Sequence, residues 1–351
     1  MKILAIETSC DDTAIALIEA SGTTSAPKFK VLKSIISSQI EVHRPWGGVV
    51  PNLAKREHIK NLPKIFDKLK IKGEKLKIDA ICVTVGPGLE PALWAGITFA
   101  EEIYKKLKTE NKKMKLIGIN HLEGHLYSFL LSQKTKTSIS NSQFSNKTKN
   151  NFPAIALIVS GGHTILLHMQ SPIKWKKLGE TKDDAVGESF DKVAKMLGFP
   201  YPGGPEIQRL AEKGNVNAIR FPRPMIGSKD YNFSYSGLKT SVLYYLRDNA
   251  KTKKEDVAAS FQEAALDVLI KKTERAAREY GVKSIFLSGG VAANKELRKK
   301  LTVLSSKLKI NFIAPPMDFN TDNAVMIAVA GYMSMLRKKN KKLIANGNMG
   351  I

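Results

Sequence analysis

Apolar positions open the chain as a dense run, pause at a short polar turn and resume, in "KILAIETSCDDTAIALIEA". The alternation and the β-branched content predict two strands joined by a tight turn. The same unit returns near mid-chain as "AIALIVSGGHTILLHMQ", now around Ser-Gly-Gly. A second pattern is also present twice: an apolar strand, a glycine turn and a helix, in "DAICVTVGPGLEPALWAGITFAEEIYKKL" (79–107) and "KSIFLSGGVAANKELRKKL" (283–301). Two matching pairs in the same order predict a duplicated α/β fold, with two similar lobes around a central cleft that holds a ligand. Turns built from small and polar residues leave backbone amides able to face an anion, and the helix that follows adds its positive end.

Between the repeats, "SQKTKTSISNSQFSNKTKN" (132–150) is polar and almost free of large apolar residues, so it reads as a linker or surface loop. The expected organisation is a first lobe over 1–131, completed by a returning C-terminal segment 323–351, with a second lobe over 151–322. A length of 351 residues is consistent with two such cores. The run "AVMIAVAGYMSML" (324–336) is too short to span a bilayer and reads as a helix crossing back onto the first lobe.

Composition changes this picture in two ways. Cys10 and Cys82 are the only cysteines and form no C-x-x-C pair, which excludes a cysteine zinc module or disulfide scaffold and fits a reducing, cytoplasmic setting. The opening "MKILAIETSC" lacks a long apolar signal core. A formal net charge of +24 favours polyanions, nucleic acid first among them, although lysine is spread over the whole chain and marks no single patch.

The candidate chemistry centres on "NHLEGHLYSF" (120–129). On a helix His121 and His125, four apart, share one face and could converge on one metal ion; two imidazoles on a polar surface face are the other reading. The zinc-protease motif H-E-x-x-H has the same histidine spacing, but its glutamate position is Leu122 here. Gly124 weakens the helix where backbone or ligand needs room.

Taken together, "ETSCDDTAIAL", "HRPWGGVVPNLAKREH", "GPGLEPALWAG", "NHLEGHLYS", "VSGGHT", "DDAVGESFDKVAKMLGFPYPGGP", "FSYSGLKT", "SGGVAANKELR" and "NTDNAVMIA" closely resemble the TsaD family. Those proteins are tRNA adenosine threonylcarbamoyltransferases of the actin-like ATPase superfamily, formerly described as O-sialoglycoprotein endopeptidases. The resemblance implies one divalent metal ion, iron(II) or zinc, on His121, His125 and Asp322; an N-cap role for Asp322 is the plainer alternative. It implies substrate contacts from Ile158, Val159, Ser160, Gly161 and Gly162, and nucleotide contacts from Asp191, Gly204 and Asn294. A buried aspartate at 191 would accept ribose hydroxyls, while Asn294 could equally cap the next helix. The implied partners are tRNA, threonylcarbamoyl-AMP, an inactive paralogous subunit and a small ATPase subunit, with no membrane. Basic Arg44, Lys55 and Arg56 are candidates for guiding the tRNA backbone. Two positions depart from the family pattern: Asn52 stands where glutamate is usual, and Gln208 where many members are acidic. A metallopeptidase, a kinase using Asp11 and Asp12 for magnesium, and a non-catalytic scaffold are the competing functions.

Overall fold

In the computed structural model, which describes residues 1–69, 77–109, 111–132, 143–145 and 148–351, the chain divides into two compact units, Met1–Lys149 with Pro315–Ile351, and Asn150–Ala314. The first opens with β1 (Lys2–Glu7) and β2 (Asp12–Thr23), antiparallel, followed by β3 (Ala26–Ser38) on the far side of β2. A short turn of helix, α1 (Ile40–His43), leads to α2 (Pro51–Lys68), which starts on a proline whose missing N–H costs nothing there. Next come β4 (Ala80–Gly86), α3 (Glu90–Lys108), β5 (Lys115–Asn120), α4 (His121–Tyr127) and the edge strand β6 (Gln143–Ser145). The sheet order is β5-β4-β1-β2-β3-β6, with β1, β4 and β5 parallel. Every residue of β4 is buried, which explains why its sequence reads as an unbroken apolar run: a central parallel strand is covered on both faces.

The second unit repeats this topology. It runs β7 (Ala154–Val159), β8 (Thr164–Ser171), β9 (Lys174–Glu180), α5 (Val186–Met196), α6 (Gly203–Ala211), α7 (Ser236–Asp248), α8 (Lys254–Glu279), β10 (Ser284–Ser288), α9 (Lys295–Leu308) and β11 (Asn311–Ile313). Its sheet order, β11-β10-β7-β8-β9, matches β5-β4-β1-β2-β3 strand for strand, parallel and antiparallel neighbours included. Both hairpins and both strand-turn-helix units expected from the sequence are present. Much of the polar segment 132–150 lies outside the described residues.

The final helix, α10 (Ala324–Leu336), is buried from Ala324 to Ser334, as a helix that is apolar all round must be. It packs on β1, β2, β5 and α4 of the first unit. The contact is close: a Cβ on Gly331 would lie 2.3 Å from Cys82 Sγ, and one on Gly124 would lie 3.0 Å from Ile327 Cδ1 and 3.1 Å from Met326 Cγ. Gly124 therefore makes room for α10 rather than for a ligand. The chain rejoins the first unit at Pro315, so Asp322, which the sequence division assigned to the end of the second lobe, travels with α10 and belongs to the first.

Replacing Gly331 by valine is expected to lower stability by roughly 1–3 kcal/mol or more, because the buried side chains of Cys82 and Ile119 already occupy the space. Urea unfolding checks this; an unchanged midpoint would contradict the packing of α10 on β4.

Candidate metal centre

The first unit gathers its polar side chains where β1, β4 and β5 end. Helix α4 follows β5 with no intervening loop, and Asn120 at the junction caps it: Oδ1 accepts from the Leu122 N–H at 2.8 Å and the Glu123 N–H at 3.3 Å. His121 and His125 then lie on one face with their rings edge to face, centroids 4.7 Å apart. Both are buried, at 5 % and 0 % exposure, so the surface-face reading of this pair fails.

Asp322 reaches the pair from the turn before α10. Its Oδ1 lies 3.5 Å from His121 Nε2 and 3.1 Å from His125 Nε2. It does not cap α10; that position belongs to Asn323, whose Oδ1 accepts from the Met326 N–H at 2.9 Å. One ligand atom from each of His121, His125 and Asp322 falls within 4.8 Å of the others. His125 Nε2 makes no aligned hydrogen bond despite its closeness to Asp322, and its Nδ1 also lacks one. A buried imidazole nitrogen facing a carboxylate at this distance, but poorly aligned for a hydrogen bond, is a pair of donor atoms that a cation held between them would use. The donor set, two imidazoles and one carboxylate, suits zinc or ferrous iron.

Behind His121 stands a group that the sequence reading overlooked. Glu7, wholly buried at the end of β1, places Oε2 3.3 Å from His121 Nδ1, and Ser9 Oγ lies 3.2 Å from the same nitrogen. The Ser9 N–H donates to Glu7 Oε1 at 2.6 Å and the Thr84 hydroxyl to Oε2 at 2.5 Å. Burial pushes the Glu7 carboxyl up, but the charge and hydrogen bond of His121 prevail and hold it below its usual range. Burial pushes His121 down, yet Asp322 and Glu7 together raise it to about 9. For His125, burial prevails and the ring is held below its ordinary value. Between the two carboxylates the metal-free ring holds both protons; a cation facing Asp322 would replace the one on Nε2 and leave Nδ1–H on Glu7, the arrangement by which a second carboxylate orients a ligating histidine. A glutamate closing the apolar run "ILAI" (3–6) was the available signal.

A neighbouring network anchors the β1–β2 turn. His58 Nε2 donates to the Cys10 carbonyl at 2.9 Å, so its Nδ1 must accept, from the Thr13 hydroxyl at 2.8 Å or Gln39 Nε2 at 3.2 Å. Gln39 Oε1 in turn accepts from His43 Nε2 at 3.1 Å. Burial holds both histidines below their ordinary pKa, consistent with these neutral tautomers. Cys10 keeps its proton, since burial and the Asp11 and Asp322 charges push its thiol well up; Asp12 is raised to about 7, chiefly by burial and Asp322.

In the second unit, Ile158 and Val159 end β7 with buried side chains and offer only backbone to a ligand. Ser160, Gly161 and Gly162 form the turn to β8: the Ser160 N–H donates to the His163 carbonyl at 2.8 Å, and the two glycines are exposed, with no atom within 4 Å of where a Cβ would stand. The Gly187 N–H at the start of α5 donates to the Ser160 carbonyl. Asp191 is half-buried rather than buried, and its Oδ1 accepts from the Gly203 N–H at 2.7 Å, at the start of α6 beside Gly204. Asn294 does cap α9, Oδ1 accepting from the Leu297 N–H at 2.9 Å while Nδ2 donates to Gln262 Oε1 at 2.8 Å. Gln208 Oε1 accepts from the Lys295 N–H at 2.8 Å, a job a carboxylate would also do. Asn52, Arg44, Lys55 and Arg56 are exposed on α2 and the turn before it.

Comparison with known proteins bears on this arrangement. Residues 30–329 match the sequence model of TsaD, tRNA N6-adenosine threonylcarbamoyltransferase. A protein of that name from Thermosipho melanesiensis is 49% identical over 95% of this chain and 94% of its own, and one from Bacillus licheniformis is 42% identical over 100% and 97%. The chain belongs to the TsaD family. Solved structures extend the likeness of fold alone: component A of the Acidaminococcus fermentans (R)-2-hydroxyglutaryl-CoA dehydratase superposes with a TM-score of 0.52 at 12% identity over 96% of this chain and 98% of that one. T. kodakarensis HypF gives 0.57 at 16% identity over 96% of this chain and 47% of that one. The duplicated α/β units are thus of the actin-like ATPase kind. No helix among the described residues of this TsaD-family chain is long and apolar enough to cross a membrane.

Equilibrium dialysis against zinc is expected to give about one ion per chain for the wild type and almost none for His125→Ala or Asp322→Ala, with unchanged circular dichroism. Glu7→Gln should still bind, with affinity weaker by about 10–100-fold. Full zinc occupancy in His125→Ala would contradict the grouping.

Proposed function

We propose that the protein transfers the threonylcarbamoyl group from threonylcarbamoyl-AMP to the N6 amine of the adenosine just 3′ of the anticodon, position 37, in tRNAs reading codons that begin with adenine. The observation that carries this reading is the grouping of buried His121 and His125 with half-buried Asp322, backed by Glu7, in a chain of the TsaD family. His121, His125 and Asp322 would hold one divalent ion, iron(II) or zinc, whose chemistry there is Lewis acidity toward the threonylcarbamoyl group. The donor is a mixed anhydride, so its carbonyl is already activated. The N6 nitrogen forms a bond to the carbonyl carbon, the carbon–oxygen bond to phosphate breaks, AMP departs and the amine loses a proton. An aromatic amine is a weak nucleophile, so orientation contributes more than a general base.

The protein's own groups supply that orientation. Glu7 and Ser9 fix the ring of His121, and Asn120 fixes the helix that carries both histidines. The assignment of Ile158 to Gly162, Asp191, Gly204 and Asn294 to the substrate rests on the family resemblance. Two features favour it: the open faces of Gly161, Gly162 and Gly204, and the place of Gly161 and Gly162 just beyond the C-terminal end of β7, where ligands of α/β sheets bind. Asn294 would act from the start of α9, held by Gln262. Exposed Arg44, Lys55 and Arg56, with the +24 charge, suit contact with the tRNA backbone. A paralogous subunit and a small ATPase complete the proposed assembly.

Two observations weigh against a peptidase. Leu122, at the position of the protease glutamate, is 2 % exposed and apolar, and Glu123 points away to Arg337 Nη1 at 3.4 Å. A glutamate able to activate a metal-bound water is therefore not supplied by this helix.

Incubation of the protein with its partner subunits, threonylcarbamoyl-AMP and unmodified tRNA, followed by nucleoside mass spectrometry, is expected to yield threonylcarbamoyladenosine; the product should vanish with EDTA and in His121→Ala. Modified nucleoside at wild-type level in both controls would contradict the metal's part in the reaction. Gly204→Val should leave stability within about 0.5 kcal/mol, since nothing lies within 4 Å of the new Cβ, while raising KM for the adenylate severalfold. An unaltered KM would remove Gly204 from the substrate contacts.

A further inference from the structure

The segment after α10 is absorbed by none of the functions above, although its pattern is regular. In "KKLIANGNMG" (341–350), Leu343, Ala345, Gly347 and Met349 are partly buried and the residues between them are exposed, the period of an extended strand lying on a surface. Leu343, Ala345 and Met349 pack on the core between β4, β5 and α3. Lys341 bridges antiparallel to Gly118 of β5. The Asn346 N–H donates to the Val85 carbonyl at 2.9 Å, the Gly347 N–H to Glu90 Oε1 at 3.2 Å, and the Gly88 N–H to the Gly347 carbonyl at 3.3 Å.

These bonds also correct the reading of the first glycine turn. The amides of Gly88 and Leu89, expected to face an anion, are donated to the carbonyls of Gly347 and Ser9. Gly86, at φ +148°, would put a Cβ 2.0 Å from the Asn346 carbonyl oxygen, so its lack of a side chain admits the segment rather than a phosphate.

The segment ends on the metal-bearing helix. Asn120, 1 % exposed, uses Oδ1 to cap α4, and its Nδ2 donates to the Gly350 carbonyl at 2.8 Å. A cap amide can rotate about its last bond unless both ends are held; here the Gly350 carbonyl holds the nitrogen end, and so sets where Oδ1 points and where α4 begins. A second link runs through the glycine turn: Gly347 holds Gly88, the Leu89 N–H holds the Ser9 carbonyl at 2.8 Å, and Ser9 Oγ faces His121 Nδ1.

We propose that residues 341–350 form a positioning strap for the metal centre, fixing the start of α4, and with it His121 and His125, through the Asn120 amide. Asn120 and Gly350 touch neither substrate nor metal; they are positioning residues. The inference rests on the reading of His121, His125 and Asp322 as ligands of one divalent ion.

The test uses the 351-residue protein, Asn120→Asp, and a form lacking residues 350 and 351. Asn120→Asp keeps the acceptor that caps α4 but sets a charged oxygen against the Gly350 carbonyl in place of the donor; the shortened chain removes that carbonyl while leaving Asn120 itself, and the charge beside His121, unaltered. Each is loaded with cobalt(II) for its visible spectrum and with zinc for release into a chelator. Both altered forms are expected to release zinc about tenfold faster than wild type, the size of effect that outer partners of metal ligands have, and to show a changed cobalt spectrum, while melting with the wild type. Release rates within twofold of wild type and an identical cobalt spectrum would overturn the strap, with the metal reading intact. A wild type that binds neither ion would overturn both, so the two failures are distinguishable.

Discussion

The first unit is organised by one buried contact, the carboxylate of Glu7 against the ring of His121. A charge at the end of a central strand, with no access to water, is tolerable only if both of its oxygens are hydrogen-bonded. Glu7 meets that demand with the Ser9 N–H, the Thr84 hydroxyl and His121 Nδ1. Those three partners come from the β1–β2 turn, β4 and the residue after β5, so the parallel register of β1, β4 and β5 is a condition of the contact. The orientation of the His121 ring follows from it, and so does the direction of Nε2 toward Asp322.

The two units use one topology for different purposes. In both, the polar groups collect where the parallel strands end, because the backbone there opens and the following helices begin. In the first unit this end carries side chains, two imidazoles and carboxylates, and its glycine turn is occupied by the chain's own residues 346 and 347. In the second unit the β7–β8 turn keeps two exposed glycines, Gly161 and Gly162, whereas Gly289 in the turn after β10 is packed against the Val159 carbonyl, and the side chains of Asn294 and Gln208 bond at the start of α9. Duplication has left one half with the clustered His121, His125 and Asp322 side chains and the other with the open Gly161–Gly162 turn.

Much of this was legible in the sequence, for reasons that differ by element. The paired hairpins and strand-turn-helix units announce themselves through period-two alternation and unbroken apolar runs, and α10 through being apolar on every side. The histidines were visible by their spacing, and the resemblance supplied Asp322. What the sequence could not show depended on which of several chemically equivalent residues takes a role. "NTDNA" offers several capping candidates, and only the backbone reveals that Asn323 caps while Asp322 turns to His121 and His125. Gly88 looks the same whether its amide faces an anion or a carbonyl. Glu7 looks like the polar end of a strand until β5 brings His121 beside it.

The central claim is that one divalent ion sits on His121, His125 and Asp322, and X-ray absorption at the zinc edge of the loaded protein tests it most directly. The account predicts two imidazole nitrogens and oxygen neighbours at roughly 2.0–2.2 Å, with no sulfur at about 2.3 Å. A sulfur shell, which only Cys10 or Cys82 or a methionine could supply, or a shell of oxygen alone, would contradict it.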